Sequence, residues 1–157
     1  MNLIGNTTIN PLVFYTGKFS GYFTWIILIL AFFNVELFDI NEFNFNKVFS
    51  IVLLTTGLIF TTISLINLGK STRLGLPTEK TTFKTKGLYK ISRNPMYVGF
   101  SLITLSSIFY TLNIWIALLG IYSIIVYNLI ILGEEKFLET RFGNEFIDYK
   151  TKVRRYF

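Results

Sequence analysis

The 157-residue chain contains no cysteine and no histidine. Without thiols there is no disulfide, no thiolate metal site and no cysteine nucleophile. Without imidazole, the commonest general base and the commonest zinc ligand are missing as well. Chemistry on this chain must use carboxylates, cations, phenols, amides and hydroxyls, and no metal site is expected. Charge is also scarce. Only 15% of the residues are charged, against about 25% in a soluble domain.

What fills the chain instead is apolar. Hydrophobic residues make up 52% and aromatics 18%, with phenylalanine alone appearing 17 times. One water-soluble core of this size cannot absorb so much apolar surface, so part of the solvent must be lipid. We therefore expect a single integral membrane domain over residues 1–157.

Four apolar stretches reach the length of about 20 residues that a membrane helix needs. They run from about Gly21 to Phe38, Val48 to Leu68, Pro95 to Leu112 and Ile114 to Leu132. The last two are joined only through Thr111-Leu112-Asn113, which predicts a tight antiparallel hairpin. The first lies too far into the chain for a signal peptide, and no small-x-small site follows it, so it is expected to be retained. The final segment, Glu134–Phe157, interleaves Phe137, Leu138, Phe142, Phe146 and Ile147 with charged residues. It predicts an amphipathic interfacial helix interrupted near Gly143. The expected fold is all-α: four transmembrane helices plus this C-terminal element.

Basic residues orient such a bundle. Seven fall in Gly69–Arg93 and six follow Gly133, and Lys18 precedes the expected first span. Four spans put 14 of the 15 basic residues on one side, predicting cytoplasmic termini. The net charge of +6 is thus assigned to lipid headgroups rather than to nucleic acid.

Two polar motifs interrupt the apolar pattern. The first is Gly87-Leu88-Tyr89-Lys90-Ile91-Ser92-Arg93-Asn94-Pro95-Met96-Tyr97-Val98-Gly99. Asn94 is a good N-cap and Pro95 a good first helical residue, so a helix should start here with its free amides facing an anion site. Arg93 can fork onto the same anion. Gly99 allows a helix or a ligand close to the backbone. The second motif is Glu134-Glu135, expected at the C-terminus of the fourth span, where the helix dipole disfavours anions. That cost calls for a cationic or hydroxyl-bearing ligand, or for Arg93 or another base. Each motif alone also fits headgroup snorkelling or simple solvation. The hairpin brings both to the same membrane face, where membrane-edge charges are usually functional. Tyr89, Tyr97, Tyr127 and Phe137 flank them and can serve as a stacking wall for a nucleobase or a sulfonium. Asn67, Asn113 and Asn128 are ambiguous, and Asn128, within the fourth span, needs a partner.

The first motif resembles the Arg-His-Pro-x-Tyr-x-Gly signature of isoprenylcysteine carboxyl methyltransferases and their phospholipid methyltransferase relatives. Glu134-Glu135, Leu138, Phe142-Gly143, Phe146, Tyr149 and Val153-Arg154-Arg155 are similar to that family's C-terminal block. Leu68-Gly69-Lys70 with Arg73 is similar to its Leu-Gly-x-x-x-Arg element. The likeness covers roughly 68–155. It implies an integral membrane enzyme that uses S-adenosylmethionine at the cytoplasmic face. Cofactor binding would fall to Arg93, Asn94, Pro95, Tyr97 and Gly99, with Tyr89 flanking, and to Glu134 and Glu135; no catalytic residue is named. Asn94 departs from the pattern by replacing a histidine, and asparagine cannot take up a proton. The implied acceptor is lipid-like and enters from the bilayer, either a prenyl carboxylate or a phospholipid amine. Two other readings compete. The Pro-x-Tyr-x-Gly start is also similar to steroid 5-alpha-reductase-like proteins that use NADPH, and a non-catalytic small membrane protein has to be weighed.

Overall fold

The computed structural model describes residues 7–35, 44–69 and 83–157. The regular structure of the described residues is helical, with no strand among them. Helix α1 spans Pro11–Phe32, α2 Asn44–Leu68, α3 Pro95–Thr111, α4 Ile114–Phe142 and α5 Asn144–Lys152, with a 3₁₀ turn at Gly87–Lys90 before α3. Three of them, α1, α2 and α4, are long and apolar enough to cross a membrane. At 17 residues, α3 is about 25 Å long.

The first expected span begins ten residues too late. Asn10 accepts a hydrogen bond from the Leu12 amide and Pro11 occupies the first helical position, so α1 starts there. Its polar residues stay helical because α4 receives them: Ser20 Oγ donates to the Leu119 carbonyl at 2.7 Å, and Thr16 shares a 2.8 Å hydrogen bond with Tyr122. Asn34, at φ 59°, ends the helix. Phe38 lies outside the described residues. So does the stretch from Lys70 to residue 82, with Arg73, Gly75 and Pro77.

The end of α4 corrects a second expectation. Gly133 does not break the helix. A Cβ there would meet Thr8 Cβ at 2.6 Å and the Thr8 carbonyl at 3.0 Å, so this glycine admits the segment before α1. The helix continues to Phe142 and stops at Gly143, φ 53°. Glu134 and Glu135 therefore sit inside α4, about 30 Å along it from Ile114, and are not exposed to the C-terminal dipole. The helix that follows Gly143, α5, covers Asn144–Lys152 alone.

Packing follows the rules of an apolar solvent. Among the residues with no more than 1% exposure are Thr24, Ser50, Ser64, Thr104, Ser106, Ser107 and Ser123, while Leu12, Phe19, Ile26, Val48 and Ile66 face outward. With lipid outside, small polar side chains make the contacts between helices. Ser50 and Ser106 bond each other and each other's carbonyls across α2 and α3. Ser107 Oγ donates to the Thr24 carbonyl at 2.6 Å, tying α3 to α1. Gly17 lies against Val126 and Gly21 against Tyr127, closing α1 onto α4. The expected hairpin is present. Leu112, left-handed at φ 45°, turns the chain, and Asn113 caps α4 through the amides of Trp115 and Ile116.

These contacts set the helix directions. α2 and α4 run antiparallel to α3, and α1 runs antiparallel to α4. The start of α1, the end of α2, the 3₁₀ turn, the start of α3 and the last part of α4 all gather at one end. Lys18 belongs to this bundle rather than to a loop. It lies seven residues into α1 and is 9% exposed, so it leaves the count of flanking basic residues.

Candidate active site

Two adjacent glutamates on a helix point about 100° apart, and here they enter separate networks. Glu135 faces the start of α3 and the C-terminal tail. Arg93 brings Nε and Nη2 to its Oε1, each at 3.0 Å, and Asn94 Nδ2 donates to the same oxygen at 3.2 Å. Arg155 takes the other oxygen, with Nε at 3.1 Å and Nη2 at 3.0 Å from Oε2. The Arg93 side chain is 8% exposed and that of Glu135 6%. A carboxylate so enclosed needs this full set of charged donors. The glutamate also holds the Arg155 guanidinium in its charged form, raising its pKa further.

Backbone bonds extend this clasp. Arg93 Nη1 donates to the carbonyls of Val153 at 2.6 Å and Lys150 at 3.3 Å. The Arg93 amide donates to the Arg154 carbonyl at 2.9 Å, and Ser92 Oγ to that of Arg155 at 3.2 Å. The first motif and the tail thus form one unit. Asn94 occupies the N-cap position of α3 but makes no side-chain cap. Its amide is turned to Glu135 and the Arg155 carbonyl. That differs from the expected cap and leaves the Met96 and Tyr97 amides of the first turn without intrahelical partners.

Glu134 faces inward. Tyr97, 5% exposed, donates its hydroxyl to Glu134 Oε1 at 2.7 Å. Lys18 and Tyr89 lie within electrostatic reach of the same carboxylate. Tyr97 also packs on Tyr127 and Phe100, with centroids 5.8 and 6.0 Å away. Tyr89 is buried in the 3₁₀ turn, and its phenol is held protonated far up the scale by burial, with Glu134 adding to the effect. Tyr149 donates to the Tyr89 carbonyl at 2.5 Å. Gly87 opens that turn at φ 64°, and a Cβ there would collide with Asn67. Asn67 Nδ2 is buried with no hydrogen-bond partner among the described residues.

Seven of the eight residues singled out in the sequence converge here: Tyr89, Arg93, Asn94, Pro95, Tyr97, Glu134 and Glu135. Gly99 does not line the site. It lies one turn in, where a Cβ would meet the Gly57 carbonyl and the Thr61 amide, both at 2.8 Å, so its close approach serves α2. Sequence reasoning missed Lys18, read as preceding the first span, and the roles of Arg155 and Tyr149 in fastening the tail. Asn128, the ambiguous amide of α4, is partnered from outside: Tyr156 Oη donates to its Oδ1 at 2.5 Å.

The described residues thus form a helical bundle with three membrane-length helices and gather an enclosed polar cluster at one end. The phospholipid methyltransferase family model matches residues 45–145. The chain belongs to that family, and the match takes in α2, α3 and all of α4 with both glutamates. No curated protein and no solved structure matches the chain.

Proposed function

We propose that the protein transfers a methyl group from S-adenosylmethionine to a lipid-like acceptor held in the bilayer. Support comes from the family membership together with one observation: Glu134, the inward-facing carboxylate, stands among Tyr97, Lys18 and Tyr89 at the bundle end where the family's motifs converge.

The residues present fit such a cofactor. The Met96 and Tyr97 amides at the start of α3 offer donors to its carboxylate. Glu134 suits its ammonium or ribose hydroxyls. The buried, unpartnered Asn67 Nδ2 beside Gly87 and Tyr89 suits a nucleobase edge, with the Tyr89 ring as a stacking face. What S-adenosylmethionine supplies when bound is a methyl group already activated as a sulfonium, so the protein has chiefly to align and to exclude water. Alignment falls to the clasp: Arg93 and Glu135 fix the start of α3 and fold the tail over it. A carboxylate acceptor needs no base. An amine acceptor must be neutral, and Glu134 is the carboxylate placed to take its proton. In this reading the site faces the cytoplasm, as the basic residues of the 69–93 segment and the tail favour.

The test is transfer of labelled methyl from S-adenosylmethionine into lipid by the purified protein in nanodiscs, with NADPH as a control for cofactor class. Label in the lipid fraction that depends on Glu134 supports the reading. A folded protein that is protected by NADPH alone would replace it with a reductase.

A further inference from the structure

Lys18 is a cation buried in the middle of an apolar helix, outside the stretch that the family model matches. Its ammonium lies 4.3 Å from the centroid of the Phe14 ring, one turn back toward the start of α1. No carboxylate among the described residues stands within ion-pair distance of it. Glu134 acts on Lys18 only at longer range.

The helix directions explain the geometry. Side chains lean toward the N-terminus of their own helix, so on antiparallel α1 and α4 Lys18 and Glu134 lean toward one another. Between α1 and α4, one turn further along from Lys18, Ser123 Oγ and Tyr127 Oη meet at Gly21. Both are buried and outside full hydrogen-bonding geometry. A desolvated ammonium costs several kcal/mol unless an anion answers it, and a ring face is a weak substitute. The α1–α4 wall thus offers a positive charge, a carboxylate beyond it and two underused hydroxyls.

We propose that Lys18 is the anion site for the methyl acceptor, pairing with a carboxylate or phosphate of a lipid that enters beside α1. The proposal rests on the acceptor reading above and deepens it: the acceptor carries an anionic oxygen group, and α1 supplies its recognition. Glu134 stays available for the methyl donor or the reacting group. An ammonium beside Lys18 would be repelled, so an acceptor amine must sit on the Glu134 side.

The experiment reads binding without turnover. Thermal unfolding in detergent is followed with dioctanoyl phosphatidic acid, with its neutral diacylglycerol, with a prenylated carboxylate and with the methyl ester of that carboxylate. The wild type should rise by on the order of 5 °C with an anionic member near saturation and much less with its neutral partner. Whether the phosphate or the carboxylate acts identifies the source. Lys18→Met should lose the difference while keeping its ligand-free midpoint near that of the wild type, since an apolar side chain of similar length replaces a buried charge. Lys18→Arg should retain it. Equal shifts from anionic and neutral members, or an unchanged difference in Lys18→Met, overturns the proposal. S-adenosylmethionine binding is measured on the same samples. Its absence there, with the anionic shift intact, counts against the methyltransferase reading alone.

Discussion

Arg93 and Arg155 divide one carboxylate between them, the former on Oε1 of Glu135 and the latter on Oε2. One precedes α3 and the other follows α5, so Glu135 is the point at which the chain's last residues are fastened to the motif. The two arginines are not equivalent. Arg93 is enclosed, whereas the Arg155 side chain is 35% exposed.

Removing Glu135 should therefore be costly. Glu135→Ala leaves the buried Arg93 guanidinium without its counter-ion, and loss of one partner of a buried pair typically costs about 3 kcal/mol or more. Arg155→Ala leaves Glu135 paired with the enclosed Arg93 and should cost less, about 1.5 kcal/mol. Thermal or denaturant unfolding of the three proteins in detergent checks the order. Equal losses would show that the Arg93 arm adds nothing beyond the Arg155 arm.

Gly99 carries a prediction about packing rather than ligand binding. Gly99→Val places side-chain carbon against the Gly57 carbonyl and the Thr61 amide, forcing α2 from α3. Overpacking of this kind costs about 1–3 kcal/mol. The unfolding midpoint should fall. Gly69→Ala, where nothing lies within 4 Å of an added Cβ but φ is 54°, should show only backbone strain, about 1 kcal/mol.

Tyr149 predicts a pH dependence. Burial chiefly, with Glu135 adding and Arg93 opposing, pushes its phenol from 10.0 up to about 12. A group raised on folding contributes stability that is complete below its unfolded pKa and lost as pH climbs through the folded one. The advantage of wild type over Tyr149→Phe should be constant up to pH 9 and shrink between about pH 10 and 12. Unfolding midpoints of both proteins across that range test it. A constant gap would mean that the phenol contributes no linked protons.

The polar arrangement was readable in the sequence only where local signals carried it. The Thr111–Asn113 link and the Pro95 start held because a left-handed residue and a proline act within one turn. The same Asn-Pro signal stands at Asn10-Pro11, but Thr16, Lys18 and Ser20 interrupt the apolar run there, and the expected span begins only at Gly21. Only the partner helix, whose Leu119 carbonyl and Tyr122 hydroxyl receive those groups, reveals why they are helical. Gly133 misled for a related reason. A glycine in an apolar run signals either a stop or a close neighbour, and here Thr8, distant in sequence, is the neighbour. Asn94 shows tertiary structure overriding a local preference: Asn10 and Asn113 cap their helices, while Asn94 turns to Glu135. The separate fates of Glu134 and Glu135 follow from helical rotation once α4 runs through them. An α4 ending at Leu132 hides that split.

The central claim is that Glu134, and not the clasp residue beside it, receives the methyl donor. It is tested most directly by S-adenosylmethionine affinity of the detergent-solubilised protein, compared between the wild type and Glu134→Gln. The account predicts saturable binding to the wild type and a loss of at least about tenfold in the variant, the scale of a charged hydrogen bond removed, with an unfolding midpoint close to wild type. Unchanged affinity in a folded Glu134→Gln protein would contradict it.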